Sequence, residues 1–353
     1  MRTTTRRAGP LGLAVTSLLV LTGCALGSPE GDAADDSTKV VVATHDSWNM
    51  SKKVMRRFTE ETGYEVTVQP SGDAGALTNK LVLTKDSPIA DVVYGIDNTF
   101  ASRAVDEGVL VEHTPADNPG EDFEPQDARA AEQLTPVDYS DVCVNIDDTW
   151  FARSDVPPPT SLDDLTDERY RGLFVTPAPS TSSPGLAFLA ATVARYGEDG
   201  WADYWRRLVD NDVKITSGWS DAYQVDFTQG GGSGDRPIVL SYASSPPFTV
   251  DDTGEPTTSA LLDTCFRQVE YAGVLDGAAN PEGARAFVDF MTGREFQEAL
   301  PDSMYVYPVD PDAALPPAWS EHARPADDPA TLPESVIAAH RAEWLETWAD
   351  VTS

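Results

Sequence analysis

The sequence predicts an α/β protein of two domains, and three observations support this fold class. About 315 residues follow an N-terminal export segment, which is more than one compact core usually holds. Strand-like and helix-like runs alternate from residue 39 to residue 97, and a second alternating unit begins near Thr135. Such alternation is typical of mostly parallel sheets covered by helices, whose ligand sites lie at the carboxyl ends of the strands.

The N-terminus has the features of a secreted lipoprotein. Three arginines precede an apolar run at residues 11–21, which is followed by a cysteine in the tetrapeptide LTGC. A basic start and a short apolar core are typical of a signal peptide and too short to span a bilayer. LTGC resembles a bacterial lipobox, which implies a signal peptide over residues 1–23 and a lipidated Cys24. Residues 24–38 then form an acidic, disordered tether. The alternative is an ordinary signal peptide with an incidental cysteine.

The first unit contains three strand-like runs separated by helical runs. The middle segment alternates apolar and polar residues, and the third is a continuous apolar run, as expected for a buried strand. The order βαβαβ predicts a parallel sheet covered by helices. The strands are predicted at residues 39–44, 64–69 and 89–94, and the helices at residues 52–62 and 77–83.

Polar turns follow each of these three strands. His45 and Asp46 come after the first, Asp73 after the second, and Asp97 with Asn98 after the third. Because the carboxyl ends of parallel strands meet at one edge of the sheet, we expect these turns to share a ligand site. The alternative role of each aspartate is to cap the helix that follows it.

The second unit begins with strands at residues 141–146 and 172–176 and continues with a helix opened by Pro184. The loop at residues 179–185 offers hydroxyl and backbone N–H groups at the positive end of that helix, which suits an anion such as phosphate. The alternative is a serine N-cap, which needs only one hydroxyl. A strand from Phe266 returns to the first domain, which helices at 281–292 and 333–351 close.

Residues 218–248 place four aromatic side chains in two turns rich in serine, glycine and proline. The second turn directly follows a strand-like run, Ile238 to Ser241. Trp219, Tyr223, Tyr242 and Phe248 can present flat faces to a cationic ring that enters a cleft. The alternative is that these rings fill the underside of their loops.

The formal net charge is -33, which excludes nucleic acid as a partner because phosphate binding needs clustered basic residues. Acidity spread over a surface commonly serves solubility, so the ligand argument depends on local carboxylates. Once Cys24 is lipidated, Cys143 and Cys265 remain as an even pair in an oxidising compartment. They lie in strand-like runs and are predicted to form a disulfide, with buried free thiols as the alternative.

Nine segments together resemble the periplasmic thiamine-binding proteins of ABC importers. GWSDAY with LSYASSP is the more specific part of the resemblance, while the surrounding fold is common to many solute receptors. The segments keep the order of that family over nearly the whole mature chain: THDSW, GDAGALTNKL, ADVVYGIDN, PVDYSDVCVN, PSTSSPGL, GWSDAY, VLSYASSPPF, RQVEYA and MYVYPV.

The resemblance implies a two-lobed periplasmic-binding-protein fold that closes on its ligand by a hinge. Each lobe would be a mixed, mostly parallel sheet flanked by helices, and two crossovers would join the lobes. Lobe 1 would comprise residues 39–135 and 270–353, and lobe 2 residues 136–269. The chain would act as a receptor on the outer face of the cytoplasmic membrane. Its partners would be an ABC permease and the lipid anchor, and we expect a monomer without enzymatic activity, cofactor or metal.

The resemblance also implies that the thiamine rings lie between His45, Trp219 and Phe248. The family pattern has tyrosine at positions 45 and 248, and a protonated His45 would repel the thiazolium charge. Asp73 and Ser182 would lie at the phosphate end, and whether the ligand is thiamine, its monophosphate or its diphosphate stays open. The predicted binding set is His45, Asp46, Asp73, Asp97, Asn98, Ser182, Trp219, Tyr223, Tyr242 and Phe248.

Two other classes of function remain as alternatives. A receptor of the same fold for ferric iron would resemble its family in a pair of adjacent tyrosines, whereas the nearest pair here is Tyr305 and Tyr307. A polyamine receptor would use more carboxylates. A hydrolase is a second alternative, although no Gly-x-Ser-x-Gly elbow or His-Glu-x-x-His motif occurs. A purely structural lipoprotein has no positive support.

Overall fold

The structure is a computed structural model that describes residues 38–353. The predicted signal peptide, Cys24 and all but the last residue of the predicted tether lie outside the described residues. The strands are β1 (Lys39–Thr44), β2 (Glu65–Pro70), β3 (Val92–Asp97), β4 (Leu110–Val111), β5 (Thr135–Asp147), β6 (Phe174–Pro177), β7 (Lys214–Thr216), β8 (Ile238–Tyr242), β9 (Thr258–Leu275) and β10 (Tyr307–Pro308). The helices are α1 (Lys52–Thr62), α2 (Ala74–Leu83), α3 (Ala101–Asp106), α4 (Ala128–Ala131), α5 (Asp148–Arg153), α6 (Ser183–Tyr196), α7 (Trp201–Asp210), α8 (Pro281–Thr292), α9 (Arg294–Met304), α10 (Pro317–His322) and α11 (Glu334–Thr352).

The predicted α/β class is confirmed, and the described strands form one mixed sheet in the order β2-β1-β3-β9-β5-β8-β6-β7. The first half-sheet, β2-β1-β3, is parallel, and so is the second half-sheet, β8-β6-β7. The long strands β5 and β9 run antiparallel to each other and to the half-sheet strand beside each of them. The parallel character that the sequence predicts therefore belongs to the two outer parts of the sheet.

The paired strands β5 and β9 are the structural counterpart of the two predicted crossovers. Their ladder spans Thr135 to Asp147 and shifts register twice, once after Pro136 and once after Val142. Such irregularities bend the strand and increase the local twist. The first half-sheet pairs with the C-terminal part of β9, and the second with the C-terminal part of β5.

Both faces of the first half-sheet are covered, which explains its nearly continuous apolar strands. Alternate residues of β1 point to opposite faces. Val40 and Val42 therefore belong to a core cluster with α1 and α8, and Ala43 belongs to a second cluster with α2 and α3. That second cluster continues through α6 and α7, so one apolar core extends across both half-sheets.

The C-terminal helix α11 lies between α7 and the segment that follows β3. Its Trp348 packs edge-on against Trp205 of α7, and Nε1 of Trp344 donates to Glu198. On the other side Arg341 donates to the backbone carbonyl of Thr99. The helix thus packs against elements of both half-sheets.

The predicted disulfide between Cys143 and Cys265 is confirmed, with Cα atoms 4.2 Å apart. The bond links β5 to β9 at the second register shift of their ladder. Both residues are almost fully buried. Within residues 38–353, no helix combines the length and the apolar character that crossing a membrane requires.

Candidate functional site

A cavity of about 360 Å³ lies where the carboxyl ends of the two half-sheets face each other. Its walls come from the turn after β1, the start of α2, the start of α6, the segment after β7, the turn after β8, β9 and the end of α9. The lining includes six aromatic side chains, three carboxylates, the imidazole of His45 and several serines: His45, Asp46, Ser47, Trp48, Asp73, Ser183, Trp219, Tyr223, Tyr242, Ser245, Phe248, Glu270, Ser303 and Tyr305.

His45 forms one wall and depends on a glycine behind it. A Cβ atom at Gly95 would lie 2.3 Å from Cδ2 of His45, so only a glycine leaves room for the imidazole against β3. Gly95 also has φ of +98°, which side-chain-bearing residues rarely adopt. The imidazole Nδ1 lies 2.8 Å from the hydroxyl of Ser47, and Nε2 lies 3.6 Å from Glu270.

Trp219 forms the opposite wall and is fixed through its side chain. The indole Nε1 donates to Oγ of Ser241 at 2.9 Å, and that hydroxyl is 2.8 Å from the hydroxyl of Ser245. Tyr223 stacks on one indole face, with ring centroids 4.9 Å apart and an interplanar angle of 14°. The tyrosine is buried in a short π-helical turn that includes the DAY of the GWSDAY motif.

Phe248 lies at the mouth of the cavity and is 47% exposed. Its ring meets Tyr305 edge to face at 5.0 Å and Tyr223 at 6.0 Å. Tyr242 approaches the indole of Trp219 at a tilt, with centroids 6.0 Å apart. Four of the predicted aromatic residues therefore form one continuous aromatic wall, together with Tyr305.

Asp73 joins the two sides of the cavity. Its carboxylate accepts hydrogen bonds from the backbone N–H groups of Ala74 at 2.6 Å, Trp219 at 2.8 Å and Ser183 at 3.4 Å. Burial raises the pKa of Asp73, and the hydrogen bonds from Trp219 and Ala74 act in the opposite direction. A Cβ atom at Gly218 would lie 3.2 Å from the carboxylate, so the glycine allows this close approach.

The floor of the cavity carries Glu270, a residue of β9 that is 8% exposed. The hydroxyl of Tyr94 donates to Asp138 at 2.6 Å and lies 3.4 Å from Glu270. Asp138 is fully buried behind Glu270. The floor is therefore negative, and the aromatic wall stands beside it.

The structure brings seven of the ten predicted residues to the cavity, and three lie behind its wall. Asp97 is buried and accepts a hydrogen bond from Ser183, and burial raises its pKa to about 6. Asn98 binds the backbone of β9. Ser182 is buried and caps α6 through Gly185 N–H, which is the capping role described above as the alternative.

Of the aspartates in the turns after β1 and β2, one caps a helix and the other does not. Asp73 is the N-cap of α2, and it faces the cavity as well. Asp46 caps no helix, since α1 is capped by Ser51. Its side chain accepts a hydrogen bond of 3.4 Å from Ser220, which is a second contact between the two sides of the cavity.

Sequence reasoning missed Glu270, Ser183, Trp48 and Tyr305 as lining residues. Glu270 could have been found, because a single carboxylate within the otherwise buried run VEYAG is unusual for an interior strand. Tyr305 lies in MYVYPV, at the end of α9 with φ of 57°. No local pattern marks Trp48, whose ring reaches the cavity after packing edge-on against Tyr94 at 4.9 Å.

These surroundings favour a flat, cationic organic solute. Aromatic faces attract a cation through their π electrons, and a carboxylate adds a full negative charge. In the part of the chain that the structure describes, no group of three or more His, Cys, Asp or Glu side chains is arranged to hold a metal ion.

Comparisons with known proteins agree with this geometry. The family model of the bacterial extracellular solute-binding proteins matches residues 87–327. A thiamine-binding periplasmic protein of Brucella melitensis is 30% identical, covering 97% of this chain and 99% of that protein. A solved periplasmic thiamin binding protein matches with a TM-score of 0.76 at 27% identity, covering 89% of this chain and 96% of that one. An Fe(3+)-binding periplasmic protein of Serratia marcescens is 26% identical over 88% of each chain.

Proposed function

The chain belongs to the bacterial extracellular solute-binding proteins, and within them to the thiamine-binding periplasmic proteins; on that premise we propose that it captures thiamine and delivers it to an ABC importer. The observation that carries this proposal is the aromatic wall built on Trp219, which stands beside the carboxylate of Glu270 in one cavity. A cationic thiazolium and a flat aminopyrimidine suit these two features together.

The energetics of such a site are sufficient for a scavenging receptor. Binding at nanomolar solute needs about -12 kcal/mol. Each aromatic face contributes roughly 1 to 3 kcal/mol, and charge-assisted hydrogen bonds add to this. Trp219, Tyr242, Phe248 and Tyr305 supply four rings at the cavity. The exposed position of Phe248 gives the ligand a route in and out.

We further propose that the cavity opens and closes by a hinge in the β5–β9 pair. The lobes would then be residues 39–135 with 270–353, and residues 136–269. The register shifts after Pro136 and Val142 support a bend at this place. In this arrangement α11 would belong to the first lobe and would also pack against α7 of the second. Closure would exclude water and strengthen each polar contact with the ligand.

Anchoring and partners are part of the same proposal. Cys24 would carry the lipid that holds the protein at the outer face of the cytoplasmic membrane, and an ABC permease would receive the ligand. A monomer suffices, because both walls of the cavity come from one chain. Metabolic labelling with a fatty acid, compared between the wild type and Cys24→Ala, tests the anchor directly.

The site supports binding better than hydrolysis. Ser47, His45 and Glu270 stand in a row that resembles a Ser–His–carboxylate set. The Ser47 contact, however, is a local one across two residues, and the distance of 3.6 Å from His45 to Glu270 exceeds hydrogen-bond length. We therefore propose a receptor without enzymatic activity and without a cofactor.

The choice between thiamine and its phosphates depends on Asp73. Two backbone donors that could serve a phosphate, Ser183 N–H and Trp219 N–H, bind the Asp73 carboxylate in this structure. This arrangement favours a ligand without phosphate, so thiamine itself is the proposed ligand. The phosphates are then informative comparison ligands.

Calorimetric titration of the mature protein tests the proposal. Thiamine, its mono- and diphosphate, spermidine and a ferric salt are titrated in parallel at pH 7. We expect submicromolar binding of thiamine and no measurable heat of binding with spermidine or ferric ion. Absence of thiamine binding by a folded protein would overturn the proposal, and binding of iron or spermidine alone would replace it with one of the two alternative receptors.

A further inference from the structure

Two carboxyl groups, those of Asp138 and Glu270, lie side by side in the β5–β9 pair, and of the two only Glu270 lines the cavity. The two residues are direct cross-strand partners in the β5–β9 ladder. Asp138 is 0% exposed and Glu270 is 8% exposed, so little water reaches either group. Like charges in directly opposite positions destabilise a strand pair, and two adjacent buried carboxyl groups cannot both be ionised cheaply.

The buried oxygens of this pair have too few hydrogen-bond donors. Tyr94 has a single hydroxyl hydrogen, which it donates to Oδ2 of Asp138 at 2.6 Å, while Oε2 of Glu270 lies farther away at 3.4 Å. Oδ1 of Asp138 is buried and meets no donor among the residues that the structure describes. A proton on the Asp138 carboxyl would turn one of its oxygens into a donor, and the Glu270 side chain is within hydrogen-bond contact of this carboxyl.

The groups around the pair do not neutralise two negative charges. His45, from the turn after β1, approaches Glu270 at 3.6 Å and is the one basic side chain within 4 Å of either carboxylate in the described part of the chain. Tyr94 and Asp97 face the pair from β3, and Tyr242 faces it from β8. Burial, together with the charge of Glu270, raises the pKa of Asp138 well above its usual range. Burial likewise raises the pKa of Tyr94, which stays a neutral phenol.

We propose that Asp138 and Glu270 share one proton, so that the pair presents one negative charge to the cavity and binds a monovalent organic cation through Glu270. This inference rests on the proposed function for the identity of the cation. Asp138 and Tyr94 are positioning residues, since neither lines the cavity. Glu270 lines it and faces the ligand. A single charge at the floor matches the single charge of a thiazolium ring.

Two isosteric variants separate this proposal from its alternatives. Asp138→Asn replaces a protonated carboxyl with a neutral amide, so thiamine affinity should stay within threefold of wild type at pH 7. Glu270→Gln removes the charge, so affinity should fall at least tenfold. Equal losses in the two variants would mean that both carboxyl groups are ionised, and that outcome overturns the proposal. So does an unchanged affinity in Glu270→Gln.

An uncharged analogue of thiamine tests whether Glu270 recognises the positive charge of the ligand. The probe is an isostere of thiamine in which a neutral thiophene ring replaces the thiazolium. Wild-type protein should bind it at least tenfold more weakly than thiamine, and Glu270→Gln should bind the two compounds within threefold of each other. A preference for thiamine that survives in Glu270→Gln would show that another group recognises the charge.

Infrared spectroscopy tests the shared proton without any ligand. The carbonyl stretch of a protonated carboxylic acid is distinct from that of a carboxylate, so the free protein at pH 7 should show one such band that Asp138→Asn lacks. A missing band in folded wild-type protein overturns the proposal. If thiamine fails to bind but the band is present, the proposed function has failed while the shared proton stands. Circular dichroism of each variant confirms that it is folded.

Discussion

Asp73 and Trp219 lie 146 residues apart in the chain, and the backbone N–H of Trp219 donates to the Asp73 carboxylate over 2.8 Å. Asp73 begins the helix that follows β2, whereas Trp219 follows β7. The bond therefore connects the two half-sheets at the cavity. If the two sides separate in the proposed hinge motion, this bond breaks, so on that proposal its free energy would favour the closed form and, through it, ligand affinity.

Replacing Asp73 should therefore weaken ligand binding although the side chain is not required for a ring contact. A hydrogen bond to a charged group contributes about 1.5 to 3 kcal/mol, which corresponds to roughly a tenfold to hundredfold change in Kd. We expect Asp73→Ala to weaken thiamine binding by this factor in calorimetry. Asp127→Ala is the matched control, because Asp127 caps α4 through Ala130 without lining the cavity. Equal affinities of the two variants would contradict a role for Asp73 in closure.

Trp219 should be the largest single contributor among the aromatic residues. Its indole is oriented by Ser241 and supported from behind by Tyr223. Removing one stacking face costs roughly 1 to 3 kcal/mol. Trp219→Ala should weaken thiamine binding at least tenfold, and Trp219→Phe should recover part of the loss. Trp150→Ala, at a partly buried tryptophan outside the cavity, should bind thiamine like wild type. A normal affinity of Trp219→Ala would show that the stack is misplaced.

Gly95 should not tolerate a side chain, because the imidazole of His45 occupies the space that a Cβ atom would need. A Cβ atom there meets the imidazole of His45 at 2.3 Å, and the backbone has a positive φ. Gly95→Ala should displace His45 and lower both the melting temperature and thiamine affinity. In Gly95→Ala/His45→Ala the clash is gone and only the backbone strain remains. The melting temperatures of the two single variants and the double variant should therefore be non-additive. Strict additivity would mean that the two residues do not meet.

The sequence was sufficient for the elements that local pattern determines. Val54 and Phe58 at helical spacing identify α1, and the apolar run that ends in Tyr94 identifies β3. Serine, asparagine and proline at the starts of α6 and α8 mark those helices in the sequence. The aromatic wall could also be predicted from the sequence, because local structure alone seldom explains aromatic side chains in turns that follow a strand.

The features that the sequence did not predict depend on contacts between segments that are far apart in the chain. Asp97 is a strand-end aspartate like Asp73, yet its carboxylate turns inward to Ser183 and that of Asp73 faces the cavity. Both residues lie in similar polar turns, so the sequence does not distinguish them. Their different orientations depend on how α6 packs against the two turns. Glu270 was missed for a related reason: the lone carboxylate in VEYAG is a local signal, but its position at the cavity results from the pairing of β9 with β5.

The disulfide should stabilise the crossover pair substantially. It closes a segment of 122 residues between Cys143 and Cys265. Removing a native disulfide of this kind costs roughly 2 to 5 kcal/mol. We expect Cys143→Ser/Cys265→Ser to lower the free energy of unfolding in urea by that amount. A reducing agent should lower the stability of wild type and leave the double variant unchanged. Sensitivity of the double variant to reductant would show that another thiol is responsible.

Asp97 should give the stability a defined dependence on pH. Its pKa is raised by burial from 3.8 to about 6 in the folded protein. Between these two values the unfolded chain has lost the proton and the folded protein retains it, so stability falls as pH rises from about 4 to 6 and then levels off. The shift corresponds to about 3 kcal/mol in total. Urea unfolding from pH 4 to 7.5, for wild type and Asp97→Asn, isolates this contribution because other groups cancel in the difference. The advantage of the variant should grow with pH up to about 6 and stay constant above it; a difference that is flat across the range would mean that Asp97 is ionised throughout, with Ser183 and Thr99 compensating for its burial.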